Sequence, residues 1–468
     1  MRLYNTSSRQ IEDFIPMDEE DVLFYSCGPT VYDKSTVGNW ASFIRYDLLA
    51  RTIKTCGYKL NWVMNITDVG HLVSDADEGE DKLEKGAKRE HKTAWEIAES
   101  YTADFLEGLD YFNISVPRSN IFRATDFIKD QIELIKTLEK KGHTYKTGDG
   151  IYFDSTTFED YGKMARLDIS GLQSGARVQS GDKKHPTDFA LWKFSPVPPI
   201  DGKKRDMEWE SPWGVGFPGW HIECSAIVIK KLAETIDIHT GGIEHIPIHH
   251  TNEIAQSEAV TGKTFVNTWV HNNHLKVEGQ KISKSLNNGY TIEDLKQQGF
   301  SADDFRMFVL QSNYRTEANF SWKILKEARE KRLQLQSIAD LRFQSIQDSA
   351  EGESLSSFIS SIKKSLSDNI NTPEVVATLS EFIQKLSGKA SYSRQELIDF
   401  FACLEDSLGF RFLASEDITS EAKELIRLRE EARASKDWST SDKIRDQLEQ
   451  LGIGVKDTET LSIWFRLS

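Results

Sequence analysis

The chain has 468 residues, a formal charge of −15 and 38% hydrophobic residues, a length that exceeds what one hydrophobic core fills and predicts roughly two to four domains. No stretch approaches the ~20 apolar residues of a membrane span, and the acidic balance argues against a nonspecific polyanion binder, which would carry a basic surface. Four widely spaced cysteines, and the absence of an apolar signal core over Met1 to Phe14, argue against a disulfide framework and point to a soluble protein of the reducing cytoplasm.

The first elements alternate strand and helix. Val22, Phe24 and Tyr25 form a β-prone run stopped by Cys27-Gly28-Pro29, a helical pattern runs from Asn39 to Lys54, and Leu60 to Ile66 is a second strand. This is the signature of a parallel sheet. Between about Tyr111 and Trp209 the texture changes to a helix through Phe127, Ile128, Ile132, Ile135 and Leu138, then Gly-rich and β-prone segments, then Pro196, Pro198 and Pro199 near Lys203 to Arg205. The α/β alternation then returns, with Ile236 to Ile238 as a strand, Asn252 to Thr261 as a helix and Phe265 to Val270 as a strand, so the two stretches are expected to form one sheet. From roughly Glu293 onward the apolar spacing is helical, as in Ile324, Leu325, Ala328 and Leu335, which predicts an all-α C-terminal bundle.

Charged runs punctuate this order. Lys82, Lys85, Lys88, Arg89 and Lys92, and the mixed run from Lys423 to Arg445, read as solvated helix faces.

Several segments carry chemistry. The strand end at Cys27 to Asp33, followed by Thr36-Val37-Gly38-Asn39, puts a glycine-containing turn before a helix N-terminus, whose free amides and positive dipole end suit nucleotide phosphates. Asn39 would serve equally as a plain helix cap. Lys281-Ile282-Ser283-Lys284-Ser285 places two lysines on a polar loop able to close over a triphosphate as pyrophosphate leaves. Cys27, Cys224, His249 and Glu253 are of the types that ligate zinc, and the last two stand four apart, on one face of a helix. Taken singly, each cysteine reads as a small buried apolar residue. Four protein ligands together also describe a closed structural zinc site, which spacing alone does not separate from a substrate-binding one.

Four motifs taken together, Cys27-Gly28-Pro29-Thr30, Phe217-Pro218-Gly219-Trp220-His221-Ile222-Glu223-Cys224, Asp237 to Gly242 running to His249-His250-Thr251-Asn252-Glu253, and the lysine–serine loop, resemble those of the cysteinyl-tRNA synthetases, a class I family. The resemblance extends over essentially the full chain, including Asn65 to Asp68, Asp188 to Lys193, Asn287-Asn288 and the ending from Lys436 to Trp464. It implies an α/β Rossmann-type catalytic domain in two halves, 1–110 and 210–290, split by a connective insertion at 111–209, then stem helices at 291–342 and a helical anticodon-binding domain at 343–468.

The same resemblance implies ATP-dependent activation of L-cysteine to cysteinyl-adenylate and transfer to the 3′ end of tRNA(Cys), by a monomer with one Zn2+ and with Mg2+ on ATP. Cys27, Cys224, His249 and Glu253 map onto the family's zinc ligands, Thr67 and Trp220 onto its amino-acid pocket, and Lys284 onto the loop lysine that contacts ATP. Thr36, Gly38, Asn39 and Lys281 would complete the ATP and catalytic groups, and no protein nucleophile is required. Zinc favours a thiolate over a hydroxyl, so cysteine would be separated from serine without editing.

Three positions depart from the family pattern. Thr36 stands where the family's loop opens with histidine, and loss of one charge-assisted contact costs about 2.7–4 kcal/mol by analogy with oxyanion donors, which predicts slower activation. Glu244 replaces an aspartate expected to hold the substrate amino group, and Asp68-Val69-Gly70-His71 replaces a more acidic stretch leading into the charged segment Ser74 to Lys92. Two other functions fit the motifs: a cysteine ligase acting on an amino sugar, whose relatives lack the extended helical tail, and a noncatalytic zinc-containing tRNA or cysteine binder. Trp438 and Trp464 fit stacking on unpaired bases and packing between helices equally.

Overall fold

A computed structural model of the chain describes residues 1–69, 82–167, 183–196, 204–283, 286–344, 355–386, 393–457 and 462–467. Of the sequence features above, Gly70, His71, Ser74 and its neighbours to 81, Pro198, Pro199, Lys203, Lys284 and Ser285 lie outside the described residues. The chain divides into two units, one comprising Met1–Leu275, Ile282–Ile292 and Tyr314–Ala318, the other Lys276–Lys281, Glu293–Asn313 and Asn319–Ser468.

The first unit opens with an antiparallel pair, β1 (Arg2–Asn5) and β2 (Gln10–Asp13). Then come β3 (Val22–Ser26), α1 (Val37–Thr55), β4 (Leu60–Ile66), α2 (Lys82–Glu90) and α3 (Ala94–Tyr111). After β5 (Ile121–Arg123) and α4 (Ile128–Lys140), the strands β6 (Thr144–Lys146), β7 (Gly150–Phe153), β8 (Phe189–Phe194) and β9 (Gly216–Pro218) follow. The chain re-enters the α/β alternation with α5 (Trp220–Lys231), β10 (Ile236–Gly242), α6 (Thr251–Thr261) and β11 (Val266–Asn272).

The two α/β stretches do form one sheet. Its order is β11-β10-β3-β4-β5 and every pairing is parallel. From β3 the chain crosses one way to β4, and from β10 the other way to β11, so the order reverses between β3 and β10. The carboxyl ends of strands at such a reversal bound the crevice where α/β sheets bind ligands. Each of the seven residues of β10 is buried, as a strand covered on both faces requires.

The inserted stretch builds its own antiparallel sheet, β6-β7-β8-β9. Strand pairing runs across the expected limits of that insertion: β5 belongs to the parallel sheet, with Met64 opposite Ile121, while β9 carries the antiparallel sheet to Pro218. Phe153, Phe189, Leu191 and Trp192 pack with Ile135 and Leu138 of α4 and Ile222 of α5 into one apolar cluster, so the insertion shares its core with the helix that carries Cys224. In α1, Trp40 stacks on Phe105 with centroids 5.6 Å apart. Asp47 in the same helix is fully buried and satisfied by Arg51 at 2.7 Å and by the amide and hydroxyl of Ser115, each at 2.8 Å.

A short hairpin runs from β12 (Leu275–Val277) to β13 (Gln280–Lys281), with Lys276 opposite Lys281, and beyond Leu275 it belongs to the second unit. The helices α7 (Ile292–Gln297) and α8 (Ala302–Leu310), the strand β14 (Ala318–Phe320) and the helix α9 (Trp322–Ala339) follow. Beyond them lie α10 (Ser356–Ser367), α11 (Thr372–Leu386), α12 (Arg394–Leu408), α13 (Ser420–Ala434) and α14 (Trp438–Gln450). Phe382 stacks on Phe400 at 4.0 Å between α11 and α12.

The tail is not all helical. Gly452, at φ 74°, stops α14, and the chain turns into an antiparallel hairpin of β15 (Ile453–Asp457) and β16 (Ser462–Arg466). The β-branched pair Ile453 and Val455 cannot extend a helix past a left-handed glycine and instead faces the next strand. Trp464 is buried in the cluster of α13, α14 and this hairpin, and so packs helices, whereas Trp438 is 55% exposed beside Arg433.

Candidate active site and metal centre

The crevice between β3 and β10 holds a cavity of about 260 Å3. Its first wall is the turn after β3. Gly28 crosses so close to β4 that a Cβ there would lie 1.7 Å from the Asn65 carbonyl oxygen, so no side chain fits. The Gly28 amide donates to Asn65 Oδ1 at 2.8 Å, and Asn65 Nδ2 donates to the Thr67 hydroxyl at 3.1 Å. Thr67 in turn donates to Glu223 Oε1 at 2.6 Å. This chain of bonds fixes the Thr67 hydroxyl at the cavity wall. Burial pushes the Glu223 carboxyl well above the carboxylate range, with the Thr67 hydrogen bond opposing it.

The four sequence-predicted metal ligands come together. The ligating atoms of Cys27, Cys224, His249 and Glu253 all lie within 4.8 Å of one another and all four residues are buried. Cys27 follows the end of β3, Cys224 projects from α5, and Glu253 lies in the first turn of α6. His249 lies in a π-helical turn, Ile246–His250, that feeds directly into α6. His249 Nε2 stands 3.4 Å from Glu253 Oε1, close to the edge, about 3.4 Å, of a tetrahedron with ~2.05 Å bonds.

Two further observations fit a cation at this point. Among the described residues no well-aligned hydrogen-bond donor meets either Glu253 oxygen although the residue is wholly buried, a costly state for a carboxylate. His221 Nδ1 lies 2.9 Å from His249 Nδ1, an outer contact that fixes the ring and leaves Nε2 pointing at Glu253. Cys27, Cys224 and His249 also line the cavity, so an ion bound there would face it.

Sequence reasoning missed the histidines around this cluster. Cys27 Sγ is 3.4 Å from His250 Nε2, His250 Nδ1 is 2.7 Å from His271 Nε2, and His271 Nδ1 is 2.7 Å from the Thr6 hydroxyl. His239 Nε2 stands 3.1 Å from Glu253 Oε2. Cys27 with His245 and His250, and His239 with His250 and Glu253, also form groups of metal-ligand type. The quoted motifs contained His239, His245 and His250, but no spacing rule singled them out.

The electrostatics follow from crowding. For Cys27, burial opposes the thiolate, but donation from the Cys224 thiol and the influence of the neighbouring imidazoles of His250, His245 and His249 prevail and hold its pKa well below the ordinary range. Burial pushes Cys224 up, reinforced by its donation to Cys27 and by the charge of Glu253. Burial lowers His271 to about 3, helped by the charges of His239 and His245. His245 rises to about 9: desolvation opposes its charge, but the Cys27 hydrogen bond and charge prevail.

Trp220 lines the cavity and stacks on His249 with centroids 4.4 Å apart. Glu244 also lines it, with Oε2 3.5 Å from His274 Nδ1. At the start of α1, the Thr36 amide and hydroxyl both donate to Asn39 Oδ1, at 2.9 and 3.0 Å. Asn39 belongs to the cavity lining, while Thr36 and Gly38 do not. Lys281 lies on the β12–β13 hairpin of the second unit, and Lys284 lies outside the described residues.

Residues 13–330 match the model of the tRNA synthetases class I (C) catalytic domain, and residues 415–464 match the cysteinyl-tRNA ligase anticodon binding domain. The chain is 37% identical to the cysteine–tRNA ligase of Treponema denticola over 100% of both chains. It is 41% identical to that of Chlorobaculum tepidum over 99% of this chain and 98% of the relative. Among solved structures, it shares its fold with the Agrobacterium radiobacter LeuRS–tRNA–LeuAMS complex, at a TM-score of 0.59 and 13% identity over 86% of each chain. A Mycobacterium tuberculosis methionyl-tRNA synthetase bound to methionyl-adenylate aligns at a TM-score of 0.56 and 12% identity, over 83% of this chain and 89% of that one.

Proposed function

This chain belongs to the cysteine–tRNA ligases, class I synthetases that join an amino acid to tRNA with ATP, and we propose that a zinc ion held by Cys27, Cys224, His249 and Glu253 is what selects cysteine. The observation that carries the proposal is the donor set itself: two thiols, an imidazole and a carboxylate without hydrogen-bond donors, converging at the wall of the cavity. When bound there, zinc would supply a soft Lewis acid that prefers a thiolate to a hydroxyl.

The chain's own residues perform the rest. Trp220, packed on His249, closes one side of the pocket, and Thr67, held by Asn65 and Glu223, offers a fixed hydroxyl to the amino-acid backbone. Glu244 presents a carboxylate to the substrate ammonium. Asn39 and Gly38, at the N-terminus of α1, meet the ATP phosphates, and Lys281 and Lys284 steady pyrophosphate as it leaves, with Mg2+ accompanying ATP. The cysteine carboxylate attacks the α-phosphorus, the bond to the β-phosphate oxygen breaks, and the adenylate passes its cysteinyl group to the terminal ribose of tRNA. The region at 343–468 serves the anticodon, and the enzyme acts as a cytoplasmic monomer. Among the described residues no helix is long and apolar enough to cross a membrane.

The test is ATP–pyrophosphate exchange by purified, zinc-loaded protein with cysteine or serine. Exchange with cysteine alone is expected, and Cys224→Ser is expected to bind less zinc and to need more cysteine. A full equivalent of zinc in that variant would remove Cys224 from the ligand set, and equal exchange with serine would remove the thiol-selection role.

A further inference from the structure

The charged stretch from Ser74 to Lys92 had no function in the sequence, and its described part is the helix α2. Three contacts seat this helix on the turn that follows Cys27. A Cβ added at Gly86 would lie 3.2 Å from the Tyr32 carbonyl oxygen, so the helix backbone rests against that turn. Arg89 reaches Asp33 Oδ2 and the Tyr32 carbonyl, each at 3.3 Å. The Lys82 ammonium sits 5.7 Å from the centroid of the Tyr32 ring. Leu83 and Ala87 are buried, which fixes the rotation of the helix and leaves Lys82 at its first position on the cavity wall.

That wall needs a cation. The reaction brings the cysteine carboxylate onto the α-phosphate of ATP, so two anions must approach each other in a partly desolvated space. Thr36 carries no charge, and both its amide and its hydroxyl are turned to Asn39. Among the described residues that line the cavity, Lys82 is the one lysine or arginine, and it shares the lining with Cys27, Thr67 and Trp220.

We propose that Lys82 binds the anionic reacting end of the substrates, the cysteine carboxylate and the α-phosphate it attacks, and so supplies the charge that Thr36 does not. The inference rests on the ligase site proposed above. A cation there is worth most as the carboxylate oxygen bonds to phosphorus and pyrophosphate departs, because negative charge is then most concentrated.

Lys82→Met keeps the length and apolar stem that cover Tyr32 and removes only the charge. It is expected to slow cysteine-dependent ATP–pyrophosphate exchange about 100-fold, with zinc content and thermal midpoint as in the unsubstituted protein and with partial recovery in Lys82→Arg. Binding separates the two sources of negative charge. If cysteine binds more weakly while cysteamine, which lacks the carboxylate, binds as before, Lys82 serves the carboxylate. If both bind as before and only the rate falls, it serves the phosphate, and either result supports the inference. Exchange within about twofold of the unsubstituted protein overturns it, as does a loss accompanied by lost zinc or a lowered midpoint and unrelieved by arginine, which would make Lys82 a packing residue of α2. Exchange by the unsubstituted protein is the control: its absence would count against the ligase site itself, not against Lys82 alone.

Discussion

Asp457 ties the terminal hairpin to α13, and the strength of that tie has a definite pH signature. Its carboxylate accepts from both terminal nitrogens of Arg429, at 2.6 and 2.9 Å, and from Ser462 at 2.9 Å. Arg433 stands 3.1 Å away. The Arg429 hydrogen bonds hold Asp457 at about 2, against an ordinary 3.8, a difference equivalent to about 2.4 kcal/mol. Because the side chain is 29% exposed, solvent screening trims this, and about 1.5 kcal/mol is a better figure. The folded value lies below the unfolded one, so the stabilisation is complete above pH ~4 and drains away as pH falls towards ~2. Asp457→Asn removes the charge and leaves the 1%-exposed Arg429 side chain with neutral acceptors in place of that carboxylate, the Ser462 hydroxyl at 3.1 Å among them, which raises the expected loss to about 2 kcal/mol. The whole chain has more than one unit and does not unfold as a single two-state system, so the assay is amide hydrogen exchange of β15 and β16. Protection there should fall about 30-fold near pH 7, and the gap between the two proteins should narrow from pH 4 to 2.5. Equal protection at pH 7, or a gap unchanged at pH 2.5, would refute the clamp.

Two further outcomes test the metal centre and the nucleotide loop. His221→Ala removes the group 2.9 Å from His249 Nδ1 and is expected to weaken zinc binding about 10–100-fold in chelator competition; unchanged affinity would show that His249 needs no outer partner. Thr36→His restores an ionisable donor at the start of α1, but with Lys82 already supplying charge it is expected to raise the rate of adenylate formation less than about 10-fold. A rise of about 100-fold in the single-turnover rate would show that the charge is not otherwise supplied and would count against Lys82.

The fold was legible wherever one periodicity ruled a segment. Leu60–Ile66 could be read as a strand to the residue, because its residues are β-prone and its neighbours are turn formers, and α1 differs from expectation only at its ends. The hairpin at the tail was hidden for the converse reason. Ile453, Val455 and Trp464 follow a long helical pattern, and only Gly452 signals a stop. Of the proposed metal ligands, spacing linked only His249 to Glu253, and the local structure differs from the regular helix that spacing implied. In a regular helix, neighbours point about 100° apart. The π turn instead brings His249 and His250 into one buried cluster, and such turns recur at functional sites. Lys82 was hidden because a lysine-rich stretch reads as a solvated face, and only the close approach of Gly86 to Tyr32 reveals which lysine the cavity receives.

The placement of Glu253 supports the proposal that thiol selection belongs to this corner of the sheet. A buried carboxylate with no well-aligned hydrogen-bond donor costs several kcal/mol unless a cation meets it, and among the described residues the basic groups beside Glu253 are the imidazoles of His239, His249 and His250 at 3.1, 3.4 and 3.9 Å. Imidazoles alone answer that cost incompletely, because each gains charge only by taking up a proton in the same desolvated space. A divalent ion answers it without a proton, and it equally neutralises the Cys27 thiolate, which its neighbours already favour over the thiol. The site therefore stores a demand for positive charge that its own side chains leave partly unmet. A soft ion held there would satisfy that demand beside the cavity, where it would favour a substrate sulfur over a hydroxyl, so that the proposed discrimination between cysteine and serine would follow from the same crowding that makes the cluster costly to fold.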